Sequence, residues 1–284
     1  MRILITGHKG QLGRELWRAL AGEKLLGADL PELDITDASA ISQAIADFRP
    51  DVVLHPAAYT DTTGCERDPD LAYRVNALGT RNVALACQRA GAVMLYISTN
   101  EVFDGQKTEP YLEWEQPNPL NVYARSKLAG EWYVQMLLER FYIVRIAWLY
   151  SRGAPSFVTK ILQAAEEQQE LRVVTDEVAT PTYAPDLAAA IAALIRQPVY
   201  GIYHFTNADQ CSRYEWALKI LEFAGRQVPV HPVTMSEFPG ATVKPPYSVL
   251  RNFCGAALGI ALRPWAEALE EAMGKSTNQQ ITNS

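Results

Sequence analysis

The chain has 284 residues, and 26 Lys and Arg against 32 Asp and Glu give a formal net charge of −6. Hydrophobic residues make up 48% of the chain and charged residues 20%, a balance that excludes an intrinsically disordered protein. The mild acidity argues against a nucleic acid or an anionic membrane surface as the main partner.

The spacing of the cysteines indicates the cellular compartment in which we expect the protein. All four stand far apart in the sequence, without the close spacing of metal ligands or of a disulfide framework. We therefore expect reduced thiols, a cytoplasmic protein and no metal site. The longest apolar run, residues 187–195, is too short to span a bilayer, so we expect no membrane association.

Short apolar runs alternate with helical patterns in the first half of the chain. Beginning with a strand, the predicted strands and helices alternate at residues 2–6, 11–20, 25–29, 38–47, 52–55, 66–90, 93–98, 122–139 and 142–147. Several strand runs are continuous in Val, Ile and Leu, which is typical of strands covered on both faces. This alternation predicts an α/β protein with a Rossmann-type, doubly wound parallel sheet and right-handed crossovers.

The pattern changes near residue 150. Helical patterns at 156–169 and 212–224 are separated by short strand-like runs at 171–175 and 201–206. We predict a smaller C-terminal α/β lobe over the carboxyl edge of the sheet, where open α/β sheets bind ligands. The predicted division is a dinucleotide-binding domain at 1–150 that is rejoined by about 183–206, an interleaved substrate lobe at 151–273, and a flexible tail at 274–284.

A glycine-rich segment follows the first predicted strand and opens the first helix. Its glycines have the spacing GxxGxxG, in the sequence GHKGQLG at 7–13. Because glycine lacks a Cβ, the backbone can turn tightly and approach a pyrophosphate, which the N–H groups of the helix N-terminus then face. We therefore predict cofactor contacts from Gly7, Lys9, Gly10, Gln11, Leu12 and Gly13.

Two acidic residues after the second strand are candidates for the adenosine end of the cofactor. Asp29 ends the predicted strand, where a carboxylate can accept hydrogen bonds from ribose hydroxyls and so favours NAD. Lys9 in the glycine loop could instead meet a 2′-phosphate, so both NADPH and NADH stay open as the cofactor. Asp34 is a candidate for the adenine edge.

A tyrosine and a lysine lie four residues apart near the start of the predicted helix 122–139. Tyr123 and Lys127 therefore share one helix face and can point into one pocket. A nearby cation lowers the pKa of a phenol from its ordinary value near 10, which would prepare Tyr123 to act as a general acid. Thr99, at the end of the fourth strand, can hydrogen-bond a substrate carbonyl at the carboxyl edge of the sheet.

These residues resemble an extended short-chain dehydrogenase/reductase, and more narrowly the dTDP-4-dehydrorhamnose reductase family. The resemblance runs from residue 1 to about residue 270. Besides the glycine loop it includes AAYT at 57–60, the segment from Ser98 to Gly105, PLNVYARSKLAGE at 119–131, RIAWLY at 145–150, ATPT at 179–182, GIYHFTN at 201–207 and PPYSVL at 245–250.

The resemblance implies a reaction and a set of roles. A nicotinamide would donate a hydride to the C4 ketone of a nucleotide-linked 6-deoxysugar, first of all dTDP-4-dehydrorhamnose. Tyr123 would protonate the oxygen, Lys127 would hold the nicotinamide ribose and lower the pKa of the tyrosine, and Thr99 would orient the carbonyl. Further cofactor contacts are expected from Ala57, Ala58, Tyr59, Asn76 and Ser98, and substrate contacts from Asn100, Glu101, Phe103, Trp148 and Lys244.

Some positions depart from the family pattern. Asn100 and Glu101 replace an acid and a tyrosine in the motif after the fourth strand, and Lys244 stands where an arginine is usual. A lysine can still meet a phosphate as a point charge, but it lacks the bidentate fork of arginine. These positions are expected to contact the substrate, so the departures bear on which sugar is bound more than on the type of reaction.

Two other functions stay open at this point. One is another nucleotide-sugar 4-ketoreductase or an epimerase, for which Glu101 could supply an acid next to Thr99. The other is a cofactor-binding regulatory subunit without catalysis, because the β subunit of methionine adenosyltransferase resembles the same family. The resemblance also includes dimeric relatives, so a homodimer is a possible assembly.

Overall fold

A parallel sheet forms the centre of the protein in a computed structural model that describes residues 1–237 and 242–274. In chain order the strands are β1 (Arg2–Thr6), β2 (Lys24–Ala28), β3 (Val52–His55), β4 (Val93–Thr99), β5 (Phe141–Ile146), β6 (Leu149–Tyr150), β7 (Leu171–Val174), β8 (Val178–Ala179), β9 (Thr182–Tyr183), β10 (Gly201–His204), β11 (Cys211–Ser212) and β12 (Val230–Val233). The central sheet has six parallel strands in the order β10-β5-β4-β3-β1-β2. The Rossmann-type sheet expected from the sequence is confirmed.

The helices cover both faces of this sheet. In chain order they are α1 (Gln11–Ala19), α2 (Ala38–Phe48), α3 (Thr62–Arg67), α4 (Pro69–Tyr73), α5 (Thr80–Ala90), α6 (Val122–Leu137), α7 (Phe157–Glu167), α8 (Ala184–Leu194), α9 (Arg213–Ala224), α10 (Cys254–Ala257) and α11 (Trp265–Ala272). A π-helical turn spans Arg74–Gly79, and 3-10 turns span Asn100–Val102 and Met235–Glu237.

Each face of the sheet has its own apolar layer. On one face, α1 and α8 pack through residues such as Leu16 and Ile191 against Ile5. On the other face, α2, α5 and α6 pack against Leu4 and Met94. Every residue of β3 and β4 is buried, which explains why these strands lack polar alternation. Full burial of each large apolar side chain contributes about 1.5–3 kcal/mol.

The single helix expected over residues 66–90 is wrong. The structure divides this stretch into the end of α3, then α4, a π-helical turn and α5. Pro69 has no N–H to continue α3, and the side chain of Asp68 instead caps α4 by accepting from Leu71 N at 2.9 Å. The break turns the chain beside the start of α6.

The C-terminal residues build the smaller lobe and one edge of the main sheet. α7, α9 and α11 surround a third apolar cluster centred on Trp216. β10 also belongs to the C-terminal residues, but it joins the central sheet. It pairs in parallel with β5, from Gly201 opposite Tyr142 to His204 opposite Arg145. Residues 275–284, within the predicted flexible tail, lie outside the described residues. Within residues 1–237 and 242–274, no helix is long and apolar enough to cross a membrane.

Candidate active site

A cavity of about 780 Å³ opens at the carboxyl ends of the central strands. Its walls come from the glycine loop, the ends of β2 to β5, the first turns of α6, and the start of α9 in the lobe. The strands end at one edge because they are parallel, so residues far apart in sequence reach one space. The cavity is therefore the candidate active site.

The glycine loop is packed too tightly for side chains. Gly7 has φ +60°, and a Cβ on it would lie 2.9 Å from the Cα of Ala57. A Cβ on Gly13 would lie 2.2 Å from the carbonyl oxygen of Gly7. Gln11, Leu12 and Gly13 form the first turn of α1 and line the cavity, and N–H groups of a first turn have no acceptor within their helix. The loop and helix therefore form a cradle suited to an anion.

The acidic residues beyond β2 lie at the far end of the same cavity. Asp29 accepts hydrogen bonds from the backbone N–H groups of Lys9, at 2.9 Å, and Leu30, at 2.9 Å. Asp34 also lines the cavity and accepts from Thr36 N at 2.8 Å. The Lys9 ammonium turns away to an exposed ion pair with Glu32, at 2.7 Å. Asp29 thus ties the glycine loop to the end of β2.

Of the cofactor contacts predicted after β3, Ala57 and Ala58 lie in the cavity wall and Asn76 lies behind it. Ala57 and Ala58 line the cavity beside the glycine loop. Asn76 is fully buried and holds this segment, since it accepts from Tyr59 N at 2.8 Å and donates to Tyr59 O at 3.0 Å. The same amide donates to Ser126 Oγ at 3.0 Å. Asn76 therefore positions the wall and α6 and is not itself a wall residue.

Ser98 and Thr99 bring hydroxyl groups to the end of β4. Both are buried and line the cavity. The Ser98 Oγ has no hydrogen-bond partner among the described residues, so it is available to a ligand. Thr99 Oγ1 donates to Asn100 Oδ1 at 3.3 Å and accepts from Glu101 N at 3.2 Å.

Tyr123 and Lys127 enter the cavity from the first turns of α6. Asn121 caps this helix by accepting from Ala124 N at 2.8 Å, which fixes where the helix begins. Burial raises the pKa of Tyr123, the charge of Glu101 raises it further, and a hydrogen bond with Thr99 opposes the rise. The pKa of Tyr123 therefore lies above its ordinary value, and a lowering of this pKa by Lys127 stays a prediction.

Lys127 is itself almost completely buried. Its Nζ lies 4.1 Å from the centroid of the Tyr96 ring. Burial lowers the pKa of Lys127 to about 7, and the carboxylate of Glu131 opposes the fall. Glu131 is held by a buried ion pair with Arg145 of β5, at 2.9 Å and 2.7 Å, so α6 is fixed to the sheet below the lysine.

His55 is buried near the site, and the sequence analysis did not single out this residue. Its ring nitrogens contact Thr6 Oγ1 at 2.7 Å and Thr80 Oγ1 at 3.1 Å. Thr80 in turn donates to the carbonyl of Asn76 at 2.7 Å. Burial, followed by the charge of Lys127, lowers the pKa of His55 to about 3. A buried, neutral histidine at the end of a hydrophobic strand had no motif to indicate it.

Asn100 and Glu101 are the two positions after β4 that depart from the family pattern, and both form hydrogen bonds with the segment that follows residue 241. Asn100 donates to Ser248 Oγ at 2.6 Å. Glu101 accepts from Lys244 Nζ at 2.7 Å and from Asn121 Nδ2 at 2.7 Å. The predicted substrate residues Glu101 and Lys244 therefore pair with each other beside the start of α6. Asn121, which belongs to the segment 119–131 but was given no role, joins them.

Phe103 does not reach the cavity wall. It is fully buried and stacks on Tyr111, with ring centroids 4.2 Å apart. The guanidinium of Arg145 lies 5.2 Å from the centroid of the Phe103 ring. Phe103 therefore supports the turn that carries Asn100 and Glu101 from within the core.

Trp148 lines the cavity where the chain leaves β5 for the lobe. Its φ of +43° places a bulky residue in the left-handed region, a conformation that costs about 1–3 kcal/mol and that the surrounding packing must hold. The guanidinium of Arg213 lies 3.7 Å from the centroid of the Trp148 ring. Arg213 also lines the cavity, and nothing in the sequence pattern had indicated it.

Known proteins are similar to this chain over nearly its whole length. A family model described as RmlD substrate binding domain matches residues 1–278. The spore coat polysaccharide biosynthesis protein SpsK of Bacillus subtilis (strain 168) is 39% identical over 272 residues, which cover 95% of this chain and 96% of that protein. The dTDP-4-dehydrorhamnose reductase of Streptomyces griseus is 38% identical over 281 residues, which cover 95% of this chain and 92% of that protein.

A solved structure is also similar over nearly the whole chain. It is the crystal structure of dTDP-4-dehydrorhamnose reductase from Bacillus anthracis str. Ames in complex with NADP. The two folds superpose with a TM-score of 0.93 at 40% sequence identity, and the match covers 97% of this chain and 99% of that chain.

Proposed function

Because the chain belongs to the RmlD substrate binding domain family, we propose that it reduces the C4 ketone of a nucleotide-linked 6-deoxysugar with NADPH or NADH. The proposed reaction is the reduction of dTDP-4-dehydrorhamnose to dTDP-rhamnose. The observation that supports it is the meeting of Thr99, Tyr123 and Lys127 with the glycine cradle in one cavity.

The residues of the cavity fit a dinucleotide cofactor. The Gly7 and Gly13 positions leave no room for a Cβ, so the backbone alone faces the place of a pyrophosphate. Asp29 and Asp34 line the adenosine end, and the Ser98 hydroxyl at the opposite end is buried with no partner among residues 1–237 and 242–274. When bound, the reduced nicotinamide supplies the hydride that the carbonyl carbon accepts.

Tyr123 is the proposed proton donor to the carbonyl oxygen. Its raised pKa keeps the phenol protonated at neutral pH, which a donor requires. Thr99 orients the same oxygen by hydrogen bonding from the end of β4. Lys127 follows Tyr123 by four residues on α6 and lines the same cavity, where a positive charge would stabilise the phenolate left after the proton is transferred. Hydride and proton together convert the ketone to an alcohol.

The regulatory alternative is less favoured by the same geometry. A protein that only binds a cofactor needs the glycine cradle, but it does not need a proton donor, an ammonium and a hydroxyl around one point. Thr99, Tyr123 and Lys127 all line the cavity. We therefore propose catalysis and treat a regulatory role as an outcome of the test.

The test is the absorbance of the reduced nicotinamide during incubation with dTDP-4-dehydrorhamnose, with NADPH and NADH compared. We expect oxidation of one cofactor molecule for each sugar molecule added. An epimerase would convert the sugar without net oxidation of the cofactor. Cofactor binding with neither oxidation nor conversion of the sugar would instead support the regulatory role.

Two further proposals concern the compartment and the assembly. We propose that the enzyme acts in the cytoplasm, since Cys65, Cys87, Cys211 and Cys254 are free thiols, as a reducing compartment favours. The homodimer stays a prediction, which sedimentation of the purified protein would test.

A further inference from the structure

Arg213 lines the cavity, and the proposed reaction above assigns it no role. It is the first residue of α9 and lines the same cavity as Tyr123 and Trp148. Its guanidinium lies 3.7 Å from the centroid of the Trp148 ring and 5.0 Å from that of Phe157, the first residue of α7. Arg213 therefore stands between the wall of the cavity and the beginning of a lobe helix.

The guanidinium is held in a fixed orientation. Its Nε and Nη2 donate to Glu177 Oε1, at 3.2 Å and 3.0 Å. The backbone N–H of Arg213 donates to Glu177 O at 3.1 Å, and a capping box between Ser212 and Glu215 fixes the start of α9. Nη1 has no acceptor among the described residues. The guanidinium is therefore held in one orientation, and its Nη1 can donate to a ligand.

The other cations in or near the cavity lie on other elements. Lys127 is buried on α6 and lines the cavity from the Rossmann side. Lys244 lies 2.7 Å from the carboxylate of Glu101. Arg74 begins the π-helical turn beside the wall segment after β3, on the Rossmann side. Among the described cavity residues, Arg213 is the cation that the lobe contributes.

We propose that Arg213 is a specificity-determining residue that binds the phosphate groups of the nucleotide-linked sugar. The inference rests on the proposed function, because it assumes a substrate with a diphosphate. A guanidinium forms paired hydrogen bonds with phosphate oxygens, and stacking on a tryptophan fixes its plane. Since Trp148 faces the same cavity, Arg213 places the diphosphate next to the wall against which the sugar packs.

The chemistry favours a substrate phosphate over a cofactor phosphate at this position. The cofactor's pyrophosphate already has the N-terminal turn of α1 and the glycine cradle. Arg213 belongs to the part of the wall that the lobe contributes, and its guanidinium lies against Trp148. Binding measured on the protein saturated with NADP⁺ separates the two sites.

The experiment measures the dissociation constants of dTDP and of thymidine for the NADP⁺-saturated protein by calorimetry. Arg213→Met is expected to weaken dTDP binding tenfold or more and to leave thymidine binding unchanged. Arg213→Lys keeps the charge without the fork, so an intermediate loss is expected. Arg226→Met is the control, because Arg226 follows the same helix but pairs with exposed Glu166.

Two results with the variants would overturn the proposal. They are unchanged dTDP binding in both Arg213 variants, and an equal loss for dTDP and thymidine. Failure of the wild-type protein to bind dTDP would also overturn it. Because no turnover is involved, a wild-type protein that binds dTDP but reduces no ketosugar would contradict the proposed function and leave the role of Arg213 intact.

Discussion

At the scale of single residues, burial decides the electrostatics of the catalytic pair. Lys127 is buried and Tyr123 is half-buried, and loss of water drives each towards its neutral form: the pKa of the phenol rises and that of the ammonium falls to about 7. A protonated phenol suits a proton donor. Positive charge on Lys127 becomes useful when negative charge develops on the tyrosine oxygen.

Tyr123→Phe removes the proposed proton donor and keeps the ring. We expect turnover to fall about 100-fold or more, in line with usual contributions of general acids, while cofactor affinity stays nearly unchanged. Steady-state rates and a cofactor titration check this. Tyr133→Phe, on the same helix but outside the cavity, is the control, and unchanged turnover in Tyr123→Phe would remove the phenol from the mechanism.

Lys127 should also make stability depend on pH. The unfolded lysine titrates near pH 10.4 and the folded one near pH 7, so between these values the unfolded chain holds more protons. Stability therefore rises with pH across this window. Lys127→Met removes this contribution, and its stability relative to wild type should fall by up to about 1.4 kcal/mol per pH unit above pH 7.

Urea unfolding at pH 6.5, 7.5 and 8.5 measures this difference. Lys160→Met, at an exposed site on α7, controls for the loss of a lysine. A constant difference between wild type and Lys127→Met across the three pH values would show that the folded lysine keeps an ordinary pKa.

At the scale of elements, the first strand, loop and helix form the cofactor cradle by close backbone contact. Gly7 approaches Ala57 after β3, and Gly13 approaches the loop that precedes α1. Neither contact can relax by moving a flexible side chain, since the nearest atoms are backbone. The loop, β1 and α1 therefore depend on glycine at both positions.

Gly13→Ala tests this packing. The added Cβ would lie 2.2 Å from a carbonyl oxygen, so the loop must shift. We expect a stability loss of about 1–3 kcal/mol and at least tenfold weaker NADPH binding. Thermal unfolding and fluorescence titration measure both. Gly22→Ala has no atom within 4 Å of its added Cβ and should match wild type; equal behaviour of the two variants would contradict the close contact.

At the scale of the whole molecule, a few polar contacts join the carboxyl edge of the sheet to the C-terminal segment. Asn100 bonds Ser248, and Glu101 pairs with Lys244, each across more than a hundred residues of sequence. Both contacts are made by the 3-10 turn that directly follows Thr99. The C-terminal segment is therefore coupled to the site of the proposed chemistry.

A double-mutant cycle with Glu101→Gln and Lys244→Met measures this coupling. Because both side chains are mostly shielded from water, we expect a coupling energy of about 1 kcal/mol in urea unfolding. The exposed pair Lys219 and Glu222 on α9 is the control and should couple more weakly. No coupling between Glu101 and Lys244 would mean that the pair does not join the two parts.

The sequence predicted the central elements closely. The strand expected at residues 2–6 is found at those residues, and the helix expected at 122–139 ends two residues earlier. Local signals suffice there, because apolar runs, glycines and an asparagine cap act within a few residues. The region 66–90 was mispredicted because its apolar pattern is helical throughout, while Pro69 and the π-helical turn redirect the backbone.

The sequence by itself determined the alternating α/β order, the glycine loop before α1 and the spacing of Tyr123 and Lys127. These follow from periodicity, backbone freedom and helical geometry, which are local properties. Only the tertiary structure decided that Glu101 faces Lys244, that Arg213 covers Trp148 and that burial raises the pKa of Tyr123. Those facts depend on contacts between distant segments and on the loss of water around charged groups, neither of which a sequence pattern encodes.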